Sequence, residues 1–133
     1  MTSAATLPKI GAKAAGMTYA GVITAPDGLV YALCLLDDKP PKSLSWDKAM
    51  SWAKSVESDL PTRPEAALLF ANLQPKLDKV WHWTNETAHW NSSFAWYCTF
   101  THGDQYNTHK SAEGAAVAVR RFAIQSFDPL VFA

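Results

Sequence analysis

The segment Leu60-Pro-Thr-Arg-Pro-Glu65 constrains the fold more than any other stretch of the chain. Thr62 followed three residues later by Glu65 makes a capping box: the threonine hydroxyl accepts from the N3 amide, and the glutamate reaches back to the threonine amide. Pro64 suits a first helical turn, where its missing N–H removes no intrahelical bond. A helix is therefore predicted from Pro64 to about Leu73, with Ala66, Leu69, Phe70 and Leu73 as its apolar face and Gln74-Pro75 as its stop. Arg63 has no local partner, and a salt bridge to a carboxylate such as Asp59 is expected of it.

Upstream, two further elements can be read. Met17 to Thr24 and Leu29 to Leu36 flank Ala25-Pro-Asp-Gly28, a turn in which Pro presets φ, Asp caps its own backbone and Gly takes a positive φ. This predicts a β-hairpin. Its second strand is apolar on both faces and should be central in a sheet covered on both sides. After the Pro40-Pro41 loop, Ser45 is a candidate N-cap for a helix over Trp46 to Val56, with Asp47 in the first turn, where the helix dipole favours an anion. Trp46, Ala49, Met50, Ala53 and Val56 share one face, so this helix should lie on the sheet.

The stretch from Val80 to Lys110 holds four of the six Trp, two of the four Tyr and all four His. Val80 to Thr84 and Ser93 to Phe100 alternate like strands. In the second, Phe94, Trp96, Cys98 and Phe100 are expected to face the core, with Ala95, Tyr97 and Thr99 on the other side. A polar loop, Asn85 to Ser92, separates the two strands. Thr101 to Thr108 is read as a Gly-containing turn, and Ala115 to Ile124 as a last strand.

At 133 residues the chain suits one domain able to bury a core without metal or disulfide support. We expect that domain over 17–133, preceded by an arm or loosely attached segment over 1–16, where Ala, Gly and Lys show no period. Lys+Arg and Asp+Glu both number 12, so no overall field draws the chain to nucleic acid or an anionic membrane. Charged residues make up 18% against a usual ~25%, a weakly charged surface that favours association, including with a second copy. The N-terminus lacks a basic n-region followed by an unbroken apolar segment, which argues against a secretory signal. No apolar run approaches the roughly 20 residues that cross a bilayer. A cytoplasmic or virion-associated protein is expected. Cys34 and Cys98 have no metal-type spacing; they are read as two buried thiols, with a bridge between neighbouring strands as the alternative.

Five short segments, in order, carry a resemblance. Ser43-Leu-Ser-Trp-Asp-Lys-Ala-Met50, Asp59-Leu-Pro-Thr-Arg-Pro-Glu65, His82-Trp-Thr-Asn-Glu86, the run Ala95-Trp96, Phe100, His102-Gly103, and Val117-Ala-Val-Arg120 resemble motifs of the Lcl C-terminal domain family, a domain of unknown function common in phage and prophage genes and bacterial surface proteins. The likeness covers roughly residues 28–121. It implies an α+β fold of the C-type-lectin-like kind, twisted antiparallel sheets with two short helices, acting as a ligand-display module without inherent chemistry. It also implies a buried ion-pair network. The chain departs from the pattern at Ser58 and Asp59, where the family has Trp and Arg, and within Ala116-Val117-Ala118, where it has another Arg.

No catalytic constellation stands out. The histidines fall as His82, His89, His102 and His109, without zinc-finger or HExxH spacing. Calcium needs several convergent oxygens at one loop, and His89-Trp90-Asn91 does not supply them. Cys98 has no electropositive neighbour in sequence to activate it. No cofactor or metal is expected. The function expected is a non-enzymatic recognition module, phage or prophage encoded, that presents Trp83, Asn85, Trp90, Asn91, Tyr97, Asp104, Gln105, Tyr106 and Asn107 to a host-surface glycan or a host protein. Trp81 is expected on the same face. The alternative is a small cytoplasmic effector that inhibits a host enzyme or defence complex by protein contact. Neither nucleic acid nor membrane is an expected partner.

Overall fold

A computed structural model describes residues 6–133. Two antiparallel sheets and two helices form an α+β fold. The first sheet has the order β1-β2-β3-β7, from β1 (Lys13–Ala14), β2 (Met17–Thr24), β3 (Val30–Leu36) and β7 (Val119–Ala123). The second has the order β4-β5-β6, from β4 (Trp81–Thr87), β5 (Phe94–Thr99) and β6 (Gln105–His109). Helices α1 (Trp46–Ser55) and α2 (Arg63–Leu73) lie between β3 and β4 in the chain.

The central position expected of the second hairpin strand is what β3 occupies, between β2 and β7. Both its faces are buried in separate apolar clusters. Ala32, Cys34 and Leu36 join Ala49 and Ala53 of α1, with Leu60 and Trp83. Tyr31, Leu33 and Leu35 join Ala66, Leu69 and Leu73 of α2, with Cys98 and Phe100. The hairpin turn has the predicted chemistry, Asp27 Oδ1 accepting from Leu29 N at 2.9 Å and Gly28 at φ 88°.

In β2 the register against β3 shifts between Tyr19 and Gly21. The extra residue, Ala20, exchanges the faces of the strand, so Met17 and Tyr19 belong to the α1 side while Ala20 and Ile23 pack on the α2 side. Asn72 of α2 donates from Nδ2 to the freed Ala20 carbonyl at 2.7 Å. Gly21 has φ 128°, and a Cβ there would lie 3.1 Å from that same amide nitrogen, so a side chain would be strained and would crowd Asn72.

The capping box of α2 is complete. Thr62 Oγ1 accepts from Glu65 N, and Glu65 Oε1 accepts from Thr62 N at 2.8 Å. Ser45 occupies the N-cap of α1 without a side-chain cap bond. Trp46 instead fixes that end, donating from Nε1 to the Thr84 carbonyl and from its backbone amide to the Lys110 carbonyl. Residues 114–118 carry the chain from one sheet to the other: Gly114 bridges Leu44, Ala115 bridges His82, and the Ala118 carbonyl accepts from Leu36 N. The strand expected over Ala115 to Ile124 is therefore regular only over β7. Gly114 lies flat on the Trp81 ring, where a Cβ would come within 2.3 Å.

Three further expectations are corrected. Thr101 to Thr108, read as a turn, turns only up to Asp104 and continues as β6 from Gln105. Of the N-terminal segment, residues 1–5 lie outside the described residues, but the rest is not a loose arm. Gly11 N donates to Tyr19 O, Tyr19 N donates to Ala12 O, and Lys13–Ala14 pairs with Thr18 and Met17 as an edge strand. Nor does the alternation of β5 sort an inner face from an outer one. Cys98 and Phe100 are buried, yet Phe94 and Trp96 are half-buried, while Ala95 on the opposite side is fully buried and Tyr97 packs against the α1-side cluster. The cause is that the second sheet is covered on both faces, over different parts of its length.

Candidate functional site

The register of the second sheet divides the aromatic residues between its two faces. Trp96 pairs with Asn107, Cys98 with Gln105 and His82 with Cys98, so these side chains share the face nearer α2. Trp83 pairs with Tyr97 and Tyr97 with Tyr106, so these share the other.

On the α2 face the centre is Trp96. Arg63, the first residue of α2, lays its guanidinium over that ring with Cζ 3.5 Å from the centroid. Its Nε donates to Gln105 Oε1 at 2.9 Å, and Gln105 Nε2 donates back to the Arg63 carbonyl at 2.8 Å. Trp90 meets Trp96 edge-on, centroids 5.7 Å apart, and is itself met edge-on by His89 at 4.9 Å. Trp90 is 55% exposed, so a large ring is held in one orientation with half its surface in water. Asn91 turns the loop, its Oδ1 accepting from Ser93 N.

Beside this ridge opens a cleft of about 1240 Å³ between the hairpin turn, the start of α2 and the edge of the second sheet. Ile23, Pro26, Leu29 and Ala67 supply apolar wall; Arg63, Glu86 and Gln105 supply its polar side. Glu86 Oε2 accepts from the backbone amide of Arg63 at 2.7 Å, which places a carboxylate at the positive end of α2.

Arg121, which lines the cleft with Tyr31 and Thr62, belongs to an ion-pair network. Glu65, fully buried, accepts from Arg121 Nε and Nη2, from the Tyr31 hydroxyl and from Thr62 N. Arg121 also donates from Nη1 to Asp59 Oδ2 at 2.8 Å, and Asn85 Nδ2 donates to the same oxygen at 2.9 Å. Burial acts to raise the Glu65 pKa, but the bonds from Arg121, Tyr31 and the Thr62 amide outweigh it and hold the carboxyl below its ordinary value. Burial, and then the Glu65 carboxylate, push the Tyr31 phenol far up. The network therefore centres on one buried carboxylate, Glu65, with the partly exposed Arg121 as its cation.

Several expected site residues are placed elsewhere. Trp83 is fully buried and donates from Nε1 to the Leu44 carbonyl at 2.8 Å, so it holds the core and is removed from the contact surface. Asn85 is committed to Asp59, and its amide donates to the Pro61 carbonyl. Trp90, Asn91, Gln105 and Asn107 belong with Trp96 and Arg63. Tyr97 and Tyr106 lie on the opposite face, where rings run from the core outward: Trp83 to Trp81 5.0 Å, Trp81 to Tyr97 4.9 Å, Tyr97 to Tyr106 6.2 Å. Only Tyr106, at the end of this row, is largely exposed, and Asp104 at the start of the strand is exposed as well. Arg63 pairs with Gln105 and Trp96, not with Asp59, because Asp59 is already taken by Arg121. Arg63 and Glu86 were not singled out as site residues from sequence; the signal was a cation without a local partner next to a helix cap.

Burial favours the neutral forms of both cysteines and of His82. Burial pushes the Cys34 thiol up to about 11 and also raises Cys98, the latter opposed by Gln105. Both cysteines are unbridged and buried, on opposite sides of β3. His82 is buried against Phe100 with Nδ1 2.9 Å from the Val80 carbonyl, and burial lowers its pKa, favouring the neutral ring. Among the described residues no cluster of His, Cys, Asp or Glu is disposed to hold a metal ion, and no helix is long and apolar enough to cross a membrane. No protein-family model matches the chain, and no curated protein shows significant similarity to it.

Proposed function

We propose that the protein is a non-enzymatic recognition module, C-type-lectin-like in fold and akin to the Lcl C-terminal domains of phage and prophage, which presents the Trp90 ridge to a host ligand. The observation that supports this most is the fixed exposure of Trp90 against Trp96, with Arg63 stacked on the latter's ring. A rigid aromatic side chain provides contact area at little entropic cost, and the neighbouring Asn91, Gln105 and Asn107 offer amide donors and acceptors. Trp and Arg are also the residues over-represented among those that dominate interface energetics. Ligands suited to such a surface are a host-surface glycan, for a virion component, or a host protein, for a cytoplasmic one. The cleft beside the ridge favours the second: its apolar wall ending in Arg63 and Glu86 fits a side chain of a folded partner, as required of an effector that inhibits a host enzyme by contact.

A glycan array run beside affinity capture from bacterial lysate, each with wild type and Trp90→Ala, tests the proposal. Retention of a glycan or of a defined protein by wild type, lost in Trp90→Ala at unchanged melting temperature, is expected. Retention that is indifferent to Trp90 would overturn the assignment of the ridge.

A further inference from the structure

The two sheets of the described residues have four edges, and three are short, bridged or broken in register. β1 is two residues long. β7 is bridged at Val119 by Asp59, and its Arg120 donates to the Val56 carbonyl. β4 has a register break between Trp83 and Thr87 and a parallel bridge from His82 to Ala115. The fourth edge, β6, is five residues long, pairs with β5 in unbroken register and is exposed at Tyr106 and His109. Natural sheets protect such an edge with a proline, a central lysine, a bulge or a covering segment. Gln105-Tyr-Asn-Thr-His109 has none of the first three, and among the described residues no strand pairs with it on its outer side.

The phase of the β5 ladder settles which groups the edge offers. Thr99 N donates to Asp104 O and Lys110 N to Ser93 O, so the even-numbered residues of β6 bond inward to β5. The amides and carbonyls of Gln105 and Asn107, with the amide of His109, are directed away from it.

From this edge we infer that β6 pairs antiparallel with β6 of a second copy, about a two-fold axis at Asn107, to make one continuous six-stranded sheet. Charge complementarity selects a second copy over a foreign strand. Asp104 and Lys110 bracket the strand three residues either side of Asn107. In a two-fold pairing centred there, Asp104 of each copy stands directly opposite Lys110 of the other, Gln105 opposite His109, and Tyr106 opposite Thr108. The same register makes Asn107 meet Asn107 as a hydrogen-bonded pair and sets the outward His109 amide against the outward Gln105 carbonyl. Lys110, whose Nζ is 4.1 Å from the Trp46 ring centroid, lies on the same sheet face as Asp104.

A two-fold axis normal to the sheet leaves both Trp90 ridges on one side, so the dimer would engage a repetitive surface with two ridges at once. This consequence rests on the recognition reading above; the pairing itself does not.

Sedimentation velocity over a range of concentrations tests the pairing, with far-UV circular dichroism confirming that each variant is folded. Wild type is expected to reach twice the monomer mass. Asn107→Pro, which removes the central outward N–H without touching the β5 ladder, is expected to be monomeric. Asp104→Lys and Lys110→Asp each place like charges opposite one another, and each should weaken self-association by about tenfold or more, two cross-strand pairs changing sign together. Mixed in equal amounts they should recover the dimer, because every pair in the mixed species is again opposite in sign. Should Asn107→Pro fail to fold, the mixing experiment decides alone. A wild type that stays monomeric at all concentrations, a dimer that survives Asn107→Pro, or single variants that do not recover association on mixing would each overturn the inference. A monomer that binds a foreign extended peptide along β6 would assign the edge to another protein.

Discussion

Arg63 and Trp96 are 33 positions apart, yet the guanidinium carbon of one lies 3.5 Å from the ring centroid of the other. The pair joins the first turn of α2 to the middle of β5, and Gln105 clamps it from β6 with two hydrogen bonds. One helix terminus thereby orients three residues of the candidate contact surface.

Loss of that stack should be measurable. Arg63→Ala removes a cation–π contact and the Nε bond to Gln105, and should cost about 1 to 2 kcal/mol in urea denaturation. Arg63→Lys is expected to recover little of it, since a lysine ammonium cannot reproduce both the planar stack and the directed Nε–H. Full recovery by lysine would show that charge alone matters at this position.

Trp83 and Trp90 should behave oppositely. Trp83→Ala empties a fully buried site and removes one of the two donors to the Leu44 carbonyl, a loss of about 3 to 5 kcal/mol that would appear as a large fall in melting temperature. Trp46→Ala should also destabilise, since its ring anchors α1 to Thr84. Trp90→Ala and Tyr106→Ala, each more than half exposed, should melt close to wild type and affect only binding. Trp96→Ala should fall between, because its ring is covered by Arg63 and Trp90 and not by the core.

Acid should destabilise the fold in two stages. The folded pKa of His82 is depressed, so below about pH 6.5 the unfolded chain takes up a proton that the native state refuses, and stability declines as pH falls. His82→Phe should abolish that slope, and the Val80 carbonyl would still accept from Phe100 N. Glu65 is also depressed when folded: its contribution is complete above the unfolded value of about 4.3 and is lost as pH falls through the folded one. At neutral pH, Glu65→Ala leaves the Tyr31 hydroxyl and the Thr62 amide without their acceptor and Arg121 with only Asp59 and the Leu60 carbonyl, and should cost about 3 kcal/mol, the lower end for a broken buried pair because Arg121 is partly exposed and keeps Asp59. Urea midpoints between pH 3 and 8 for the three proteins check both stages.

The capping box, the Pro-Asp-Gly hairpin and the doubly apolar β3 were legible because each is a local pattern with one low-energy solution. The candidate site was legible only in part. Trp90, Asn91, Gln105 and Asn107 were identified as surface groups, but Trp83 was placed with them because strand alternation carries no information about which face a second layer will cover. Arg63 was expected to pair with a nearby carboxylate such as Asp59, whereas Asp59 is occupied by Arg121, 62 positions away.

What the sequence determined by itself was the set of elements: two helices with defined starts, a hairpin, and aromatic strands in a small α+β chain of balanced charge. The tertiary structure alone decided which rings are core and which are surface, which cation neutralises Glu65, and which strand edge is left open. Those outcomes depend on contacts between segments far apart in the chain. A buried charge or ring takes whichever partner the packing of both sheets brings within a few ångströms, and no local spacing encodes that choice.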